Sequence, residues 1–352
     1  MPARQVEPID ADGHPPARAR RVPVPPPLTG ATMSTTPPPA SNARIPWSAL
    51  PHRLRTAIEE RSGSAVVAAR TQEGGFSPGV AARLQLANGG RVFVKAVAAL
   101  PNPEAPTLYR REGRIVAAIP NSAPVPRLLW TLDDDPEGWV VLAFEDADGR
   151  QPAVPWRARE LDVVLEALQV LAADLTPSPL RPPLVGDAAD AFDGPELSWA
   201  SLLAAPNPAL DVWSARHLGA LTALEATASE AARGDTLLHF DLRADNLLLT
   251  ADGVRVVDWP HAHVGQAFVD LVWFAPSVAM QGGPSPRDLV ARYAPAREAD
   301  PEALDAVIAG VAAYFTAASL QPPSPGLPTL RAFQAAQAEV ARAWLAERMG
   351  WR

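Results

Sequence analysis

Leu237-Leu238-His239-Phe240-Asp241-Leu242-Arg243-Ala244-Asp245-Asn246, running on to Val256-Val257-Asp258-Trp259, is the stretch that decides the fold. Apolar residues flank a knot of carboxylates and one amide, which reads as a loop between strands holding Asp241, Asn246 and Asp258. Two short strands, Asn246–Thr250 and Val254–Val257, are expected around the turn Ala251-Asp252-Gly253, leaving Asp258 at the end of a hairpin. Phosphoryl transfer requires a carboxylate to orient and deprotonate the accepting hydroxyl, with oxygen ligands for magnesium beside it. Magnesium takes one or two carboxylates plus substrate phosphates rather than an all-protein cage. An acidic turn with ordinary capping residues is the alternative for any one of these side chains, and their order and spacing argue against it.

A single residue elsewhere strengthens the reading. Of the 31 basic residues only Lys95 is a lysine. A lone ammonium among arginines marks a place where a compact point charge is wanted instead of a planar fork. It ends Arg91-Val92-Phe93-Val94-Lys95, a β-branched and aromatic run after the turn Asn88-Gly89-Gly90, and so sits on the second strand of a hairpin. A lysine inside an apolar strand beyond a Gly-rich turn is how a kinase fold presents an amine to nucleotide phosphates. An edge-strand lysine that survived an Arg-rich composition is the other reading.

Composition narrows the classes. The chain has 352 residues, 47% hydrophobic and 20% charged, with a net charge of −8 and no cysteine. Length suffices for two lobes. The acidic balance argues against a nucleic-acid partner, and the missing cysteines exclude disulfides and thiolate sites. No apolar run approaches the roughly 18 residues of a membrane helix, and no apolar core follows the N-terminal arginines as a secretory signal would require. A soluble cytoplasmic protein is expected.

Residues 1–45 are rich in proline and are expected to be disordered, with Met33 read as the start of translation. Residues 46–147 form an N-terminal lobe: a helix Pro51–Glu60, strands Ala65–Ala69, Val80–Ala87, Arg91–Val97, Arg127–Leu132 and Gly138–Phe144, and one helix Glu104–Ile119. Residues 148–352 form a helical lobe, with helices Arg159–Leu175, Ala209–Ala232, Gln266–Met280, Pro301–Leu320 and Thr329–Met349. The fold class is α+β and bilobal, and the cleft between lobes is the natural ligand site.

Asp241 and Asn246 match the catalytic-loop spacing H-R-D-L-x-x-x-N, and Asp258 takes the metal-binding aspartate position. With Phe240 after His239, Asp258-Trp259 where protein kinases carry Asp-Phe-Gly, and Gly265 followed by Asp270-Leu271, residues 62–345 resemble the aminoglycoside phosphotransferase family. This is the small-molecule branch of the protein-kinase-like fold, which also contains choline, homoserine and fructosamine kinases. The resemblance implies Asp241 as catalytic base, Asn246 and Asp258 as Mg2+ ligands, and His239 and Asp270 as structural supports of the loop. It implies transfer of a γ-phosphate from ATP or GTP to a small-molecule hydroxyl. The alternatives are an inactive nucleotide-binding module and a protein kinase. Against the first, Lys95, Asp241, Asn246 and Asp258 are all present; against the second, no Ala-Pro-Glu signature follows Asp258. Arg243 either touches phosphate or pairs with Asp245, and His261 and His263 read as loop histidines.

The same reading assigns nucleotide contacts in the N-terminal half. The loop Glu73–Gly79, with Gly75, Phe76 and Ser77, covers phosphates or is a plain hairpin turn. On a helix over 104–119, Leu108, Glu112, Ile115 and Ile119 share one face, and a buried carboxylate there needs a partner. Lys95 supplies it in a kinase-like fold; Arg110, Arg111 or Arg114 would supply it locally. Phe144, Glu145, Asp146 and Ala147 are hinge candidates for the adenine edge through their main chains. The acceptor is open: the acidic stretch Asp187, Asp190, Asp193 and Glu196 either meets a polycation or is a solvated loop.

Overall fold

β-branched and small apolar residues in Val80–Leu86 (β2) and Arg91–Val97 (β3) build the centre of a five-stranded antiparallel sheet. The computed structural model describes residues 44–351 except 73, 77, 78, 101, 135–137 and 195, all within the unit Thr36–Arg352. The Pro-rich lead with Met33, and Ser77, lie outside the described residues. Helix α1 (His52–Ser62) precedes β1 (Val66–Thr71); α2 (Ala105–Ala118) lies between β3 and the pair β4 (Leu128–Asp134) and β5 (Trp139–Glu145). The order is β1-β2-β3-β5-β4, so β3 is the central strand, with Lys95 opposite Ala81 on one side and Leu142 on the other. Lys95 is therefore no edge-strand residue.

Successive side chains on a strand point to opposite faces. Val92, Val94 and Ala96 pack with Leu54 and Ile58 of α1. Lys95 and Val97 face the other way, toward α2, and a one-residue slip would send the amine into the α1 core. Gly113 lets α2 approach closely, since a Cβ there would stand 2.9 Å from Leu142 Cδ2.

Past residues 146–148 the chain enters the helical half. It contains β6 (Gly149–Arg150), α3 (Ala158–Asp174), β7 (Gly186–Asp187), α4 (Ala188–Phe192), α5 (Trp199–Ala204), α6 (Val212–Glu225) and α7 (Ala228–Ala232). There follow β8 (Thr236–Leu238), β9 (Leu247–Thr250), β10 (Gly253–Val256), β11 (His263–Gly265), α8 (Val269–Met280), α9 (Pro286–Arg292), α10 (Ala294–Arg297), α11 (Pro301–Ser319) and α12 (Leu330–Met349). Two small sheets, β10-β9-β6 and β7-β11-β8, frame the stretch from His239 to Asp258.

The helix expected over 209–232 is two helices, α6 and α7. The acidic interval is no plain loop: the Asp187 side chain caps α4, accepting from the Ala189 N–H at 2.9 Å, and lies 3.5 Å from Arg233. One expectation is corrected outright. By length and composition α11 is apolar enough to cross a membrane, but 72% of that window is buried inside the protein, as a core helix would be.

Glu225, at the end of α6, is 8% exposed and accepts from the Ala200 N–H at the start of α5. Burial pushes its carboxyl up from 4.5 to about 7, against the pull of the Ala200 and Trp199 N–H groups. The folded chain therefore binds this proton more tightly than the unfolded one. The associated stability is complete below about pH 4.5 and is lost as pH rises through about 7. Glu225→Gln keeps an acceptor and removes the titration, so it should stabilise the protein at pH 8 by ~1–2 kcal/mol and change little at pH 5. Urea midpoints at the two pH values test this; an equal shift at both would refute it.

Candidate active site

The loop after β8 is pinned from behind. Asp270, in the first turn of α8, accepts the N–H groups of His239 at 2.9 Å and Phe240 at 2.8 Å. Phe240 adopts φ +66°, a left-handed conformation uncommon for a residue with a Cβ. Asp258 does the same at φ +70°. Strain of this kind persists where surrounding structure over-determines it. His239, fully buried, bridges the two strained sites: one ring nitrogen lies 2.9 Å from the Val257 carbonyl and the other accepts the Asp241 N–H at 3.2 Å. The Trp259 indole packs edge-on against it at 4.8 Å.

The two halves meet at Lys95. Its Nζ lies 2.6 Å from Glu112 Oε2 and 2.6 Å from Asp258 Oδ1, and 5.0 Å from the centre of the Tyr109 ring. Glu112 pairs with Lys95, not with its neighbouring arginines; Arg110 pairs with Asp133, and Arg111 donates to the Ala262 carbonyl. Burial works against the ammonium, but the two carboxylates more than offset it and hold the amine charged. Burial likewise pushes Asp258 up, and Lys95 and Arg243 pull it well below the usual carboxylate range, so it is ionised. Glu112, deeper than Asp258, is pushed up by burial despite Lys95.

Asp241 faces a second cation. Arg243 Nη1 reaches both its carboxylate oxygens, at 2.6 and 2.8 Å, while Nε and Nη2 hold Asp245 at 3.0 and 2.9 Å. The pairing of Arg243 with Asp245 that the sequence allowed is thus half of a clamp whose other half is Asp241. Asn246 donates to the Asp241 carbonyl at 2.8 Å and more weakly to its carboxylate at 3.3 Å. An amide oxygen and a carboxylate oxygen beside the cleft suit a hard cation that draws its remaining ligands from phosphates and water. Among the described residues no cluster of three or more His, Asp or Glu side chains could hold a metal alone.

A cleft of about 140 Å³ opens between the halves above these groups. Lys95, Glu112, Asn246 and Asp258 line it, and so do Gly75 and the hinge candidates Phe144, Glu145, Asp146 and Ala147. The Asp146 side chain is turned away into Arg83, which holds both its oxygens and also donates to the Ala147 carbonyl. Gly75 needs its left-handed φ of +77°. Phe76 does not line this cleft; its ring lies over the Arg243 guanidinium at 5.1 Å and meets Phe333 edge-on at 5.2 Å.

The model of the phosphotransferase enzyme family (APH) matches residues 73–307, more than half of the sequence. The chain belongs to the phosphotransferase enzyme family. Solved structures agree on the fold. Choline kinase LicA from Streptococcus pneumoniae is 12% identical with a TM-score of 0.55, covering 84% of this chain and 99% of that one. Spectinomycin phosphotransferase APH(9)-Ia, in complex with ADP and spectinomycin, is 13% identical with a TM-score of 0.52, covering 84% and 98%. An aminoglycoside phosphotransferase from Alicyclobacillus acidocaldarius is 15% identical with a TM-score of 0.50, covering 81% and 92%. No curated protein sequence matches. The protein is a phosphotransferase with the bilobal α+β fold of that family.

On the far side of Asp241 this phosphotransferase has a second cavity, about 390 Å³, that sequence reasoning did not anticipate. Its walls come from α2, α8, α11 and α12 and from the loop residues 240–243 and 258–263. Trp273 is in contact with Phe240 at 5.2 Å, Tyr314 at 5.0 Å and Phe315 at 5.3 Å. His261 and His263, read as loop histidines, also line it. Arg44 and Gln151 also line the first cleft, and nothing in their local sequence marks them.

The Asp270 contacts carry a prediction. Asp270→Ala strands two N–H groups of a strained loop, and an unsatisfied buried donor costs about 1–3 kcal/mol. The urea midpoint should fall correspondingly and turnover should fall with it. An unchanged midpoint would show that the loop holds its shape without this carboxylate.

Proposed function

We propose that the protein transfers the γ-phosphoryl group of ATP or GTP to a hydroxyl of a small molecule in the cytoplasm. The observation that carries this reading is Lys95 Nζ at 2.6 Å from both Glu112 and Asp258, which places one ammonium between the sheet and the strained end of β10. Its third donor is available to nucleotide phosphates, with Glu112 orienting the amine from α2. Asn246 and Asp258 hold Mg2+, which neutralises charge on the phosphate oxygens. The backbone of Gly75 covers the phosphates, and the chain from Phe144 to Ala147 receives the base.

Asp241 acts as the base. It accepts the hydroxyl proton as the hydroxyl oxygen bonds to the γ-phosphorus, the bond from that phosphorus to the bridging oxygen breaks, and the nucleoside diphosphate leaves. Arg243 grips Asp241 from one nitrogen and thereby orients it without covering every lone pair. Asp270 and His239 support the loop and take no proton in the reaction.

A screen of hydroxyl-bearing metabolites and antibiotics with Mg-ATP and with Mg-GTP, following diphosphate release, tests the proposal. Acceptor-dependent release, lost in Asp258→Asn, is expected. A protein that binds neither nucleotide would sink it.

A further inference from the structure

Among the described residues, the cations lining the cleft between the halves are Arg44, Arg83 and Lys95. Two of them are paired, Lys95 by Glu112 and Asp258 and Arg83 by Asp146. The other carboxylates of the lining are also taken, Glu145 by Arg127 and Asp245 by Arg243. Arg44 differs. Its Nη2 donates to the Gly74 carbonyl at 3.1 Å, while its Nε and Nη1 are buried with no hydrogen-bond partner among the described residues. Buried donors without a partner are uncommon in folded proteins, and desolvation costs more for a charged group than for a neutral one. A cation held in this way beside a cleft is accounted for by an acceptor that arrives with the ligand.

The position of Arg44 says which part of a nucleotide that acceptor belongs to. The Ile45 N–H donates to the Gly79 carbonyl at 3.1 Å, and Arg44 bridges Gly79 in parallel register, so the backbone carrying the guanidinium is fixed against the residue before β2. A Cβ on Gly75 would stand 3.4 Å from Arg44 Nη2 and 3.6 Å from Asp245 Oδ2. The guanidinium, the glycine loop and the loop that carries Asp245 and Asn246 therefore converge, and this is where the phosphates belong if Asn246 holds Mg2+. Phosphate oxygens are anionic acceptors that take charge-assisted hydrogen bonds from a guanidinium; a base and a ribose offer neutral ones. A side chain that only held the loop would need no more than the Nη2 donor.

We infer that Arg44 is a further nucleotide-binding residue, whose Nε and Nη1 donate to the phosphate oxygens of the bound triphosphate. Rotatable bonds along its stem let these nitrogens turn into the cleft that the residue already lines. The inference rests on the phosphotransferase reading and adds to it a second phosphate-binding cation beside Lys95. This cation comes from outside residues 73–307, the segment that the family model matches.

Calorimetric titration of the full chain and of Arg44→Gln and Arg44→Met with MgATP, MgGTP, adenosine and guanosine tests this. Glutamine keeps an amide N–H for the Gly74 carbonyl, methionine keeps an unbranched apolar stem, and neither carries the charge. In both variants the affinity for the triphosphate that the unmodified chain binds should fall about tenfold or more, while affinity for the matching nucleoside should change less than about twofold. Melting curves of the nucleotide-free variants report that they are folded.

Three results would each overturn the inference: unchanged triphosphate affinity in both variants, equal weakening of triphosphate and nucleoside, or loss of folding in both. The last two would assign Arg44 to the structure of the loop. Failure of MgATP and MgGTP to bind the unmodified chain would strike the phosphotransferase reading instead.

Discussion

Asp241→Asn is expected to lower kcat by roughly 10²–10⁴, the span usual for loss of a general base, while leaving Mg-nucleotide affinity nearly unchanged. The substitution preserves size and one acceptor oxygen, so the clamp from Arg243 and the hydrogen bond from Asn246 to the 241 carbonyl can survive. Only the proton-accepting oxygen is lost. Asp258→Asn is the contrasting variant. That carboxylate pairs with Lys95 and is the one proposed to hold the metal, so its loss should weaken Mg-nucleotide binding and abolish turnover together. Titration with MgADP alongside steady-state rates separates the two. Wild-type turnover in Asp241→Asn would show that the base lies elsewhere.

Lys95→Arg should cost on the order of 10²-fold in rate, the scale of a misplacement of about 1 Å at a reacting centre. On a solvated edge strand the exchange would be close to neutral. Lys95 is instead on the central strand, 6% exposed, with both carboxylates at 2.6 Å. A planar fork is wider than an ammonium and cannot place single donors on Glu112, Asp258 and a phosphate from one point. The structure adds a second consequence. The larger group must displace packed neighbours such as Tyr109, so the nucleotide-free protein should also lose about 1–3 kcal/mol. Full activity with an unchanged melting temperature would mean that charge alone is needed at this position.

Some of the site was readable because its chemistry is local. Asp241 and Asn246 lie five residues apart on one loop, and a hairpin of two four-residue strands carries the chain back to Asp258. The strand bearing Lys95 announced itself by β-branched residues behind a Gly-Gly turn. Glu112 was legible because a carboxylate on an apolar helical stripe needs a partner, although 95 and 112 could be joined only by analogy. Phe76 turns away from the cleft that Gly75 lines and into the second cavity. A loop's sequence does not say where its ring will turn. The helix expected over 209–232 was drawn through the break at 226–227, since Ala-rich sequence continues on both sides and no proline or glycine marks the stop.

The sequence by itself determined the reaction class, because the residues of phosphoryl transfer are spaced by short loops whose geometry is local. It also determined the strand-rich and helical halves, through periods of two and near 3.6. Tertiary structure alone decided three things: that Lys95 meets Asp258 across 163 residues, that Arg243 clamps Asp241, and that α8, α11 and α12 stand apart around a cavity. Helical periodicity tells which face of a helix avoids water. It does not distinguish a face packed on another helix from one that lines a pocket, because both are apolar and differ only in what the rest of the chain places opposite them.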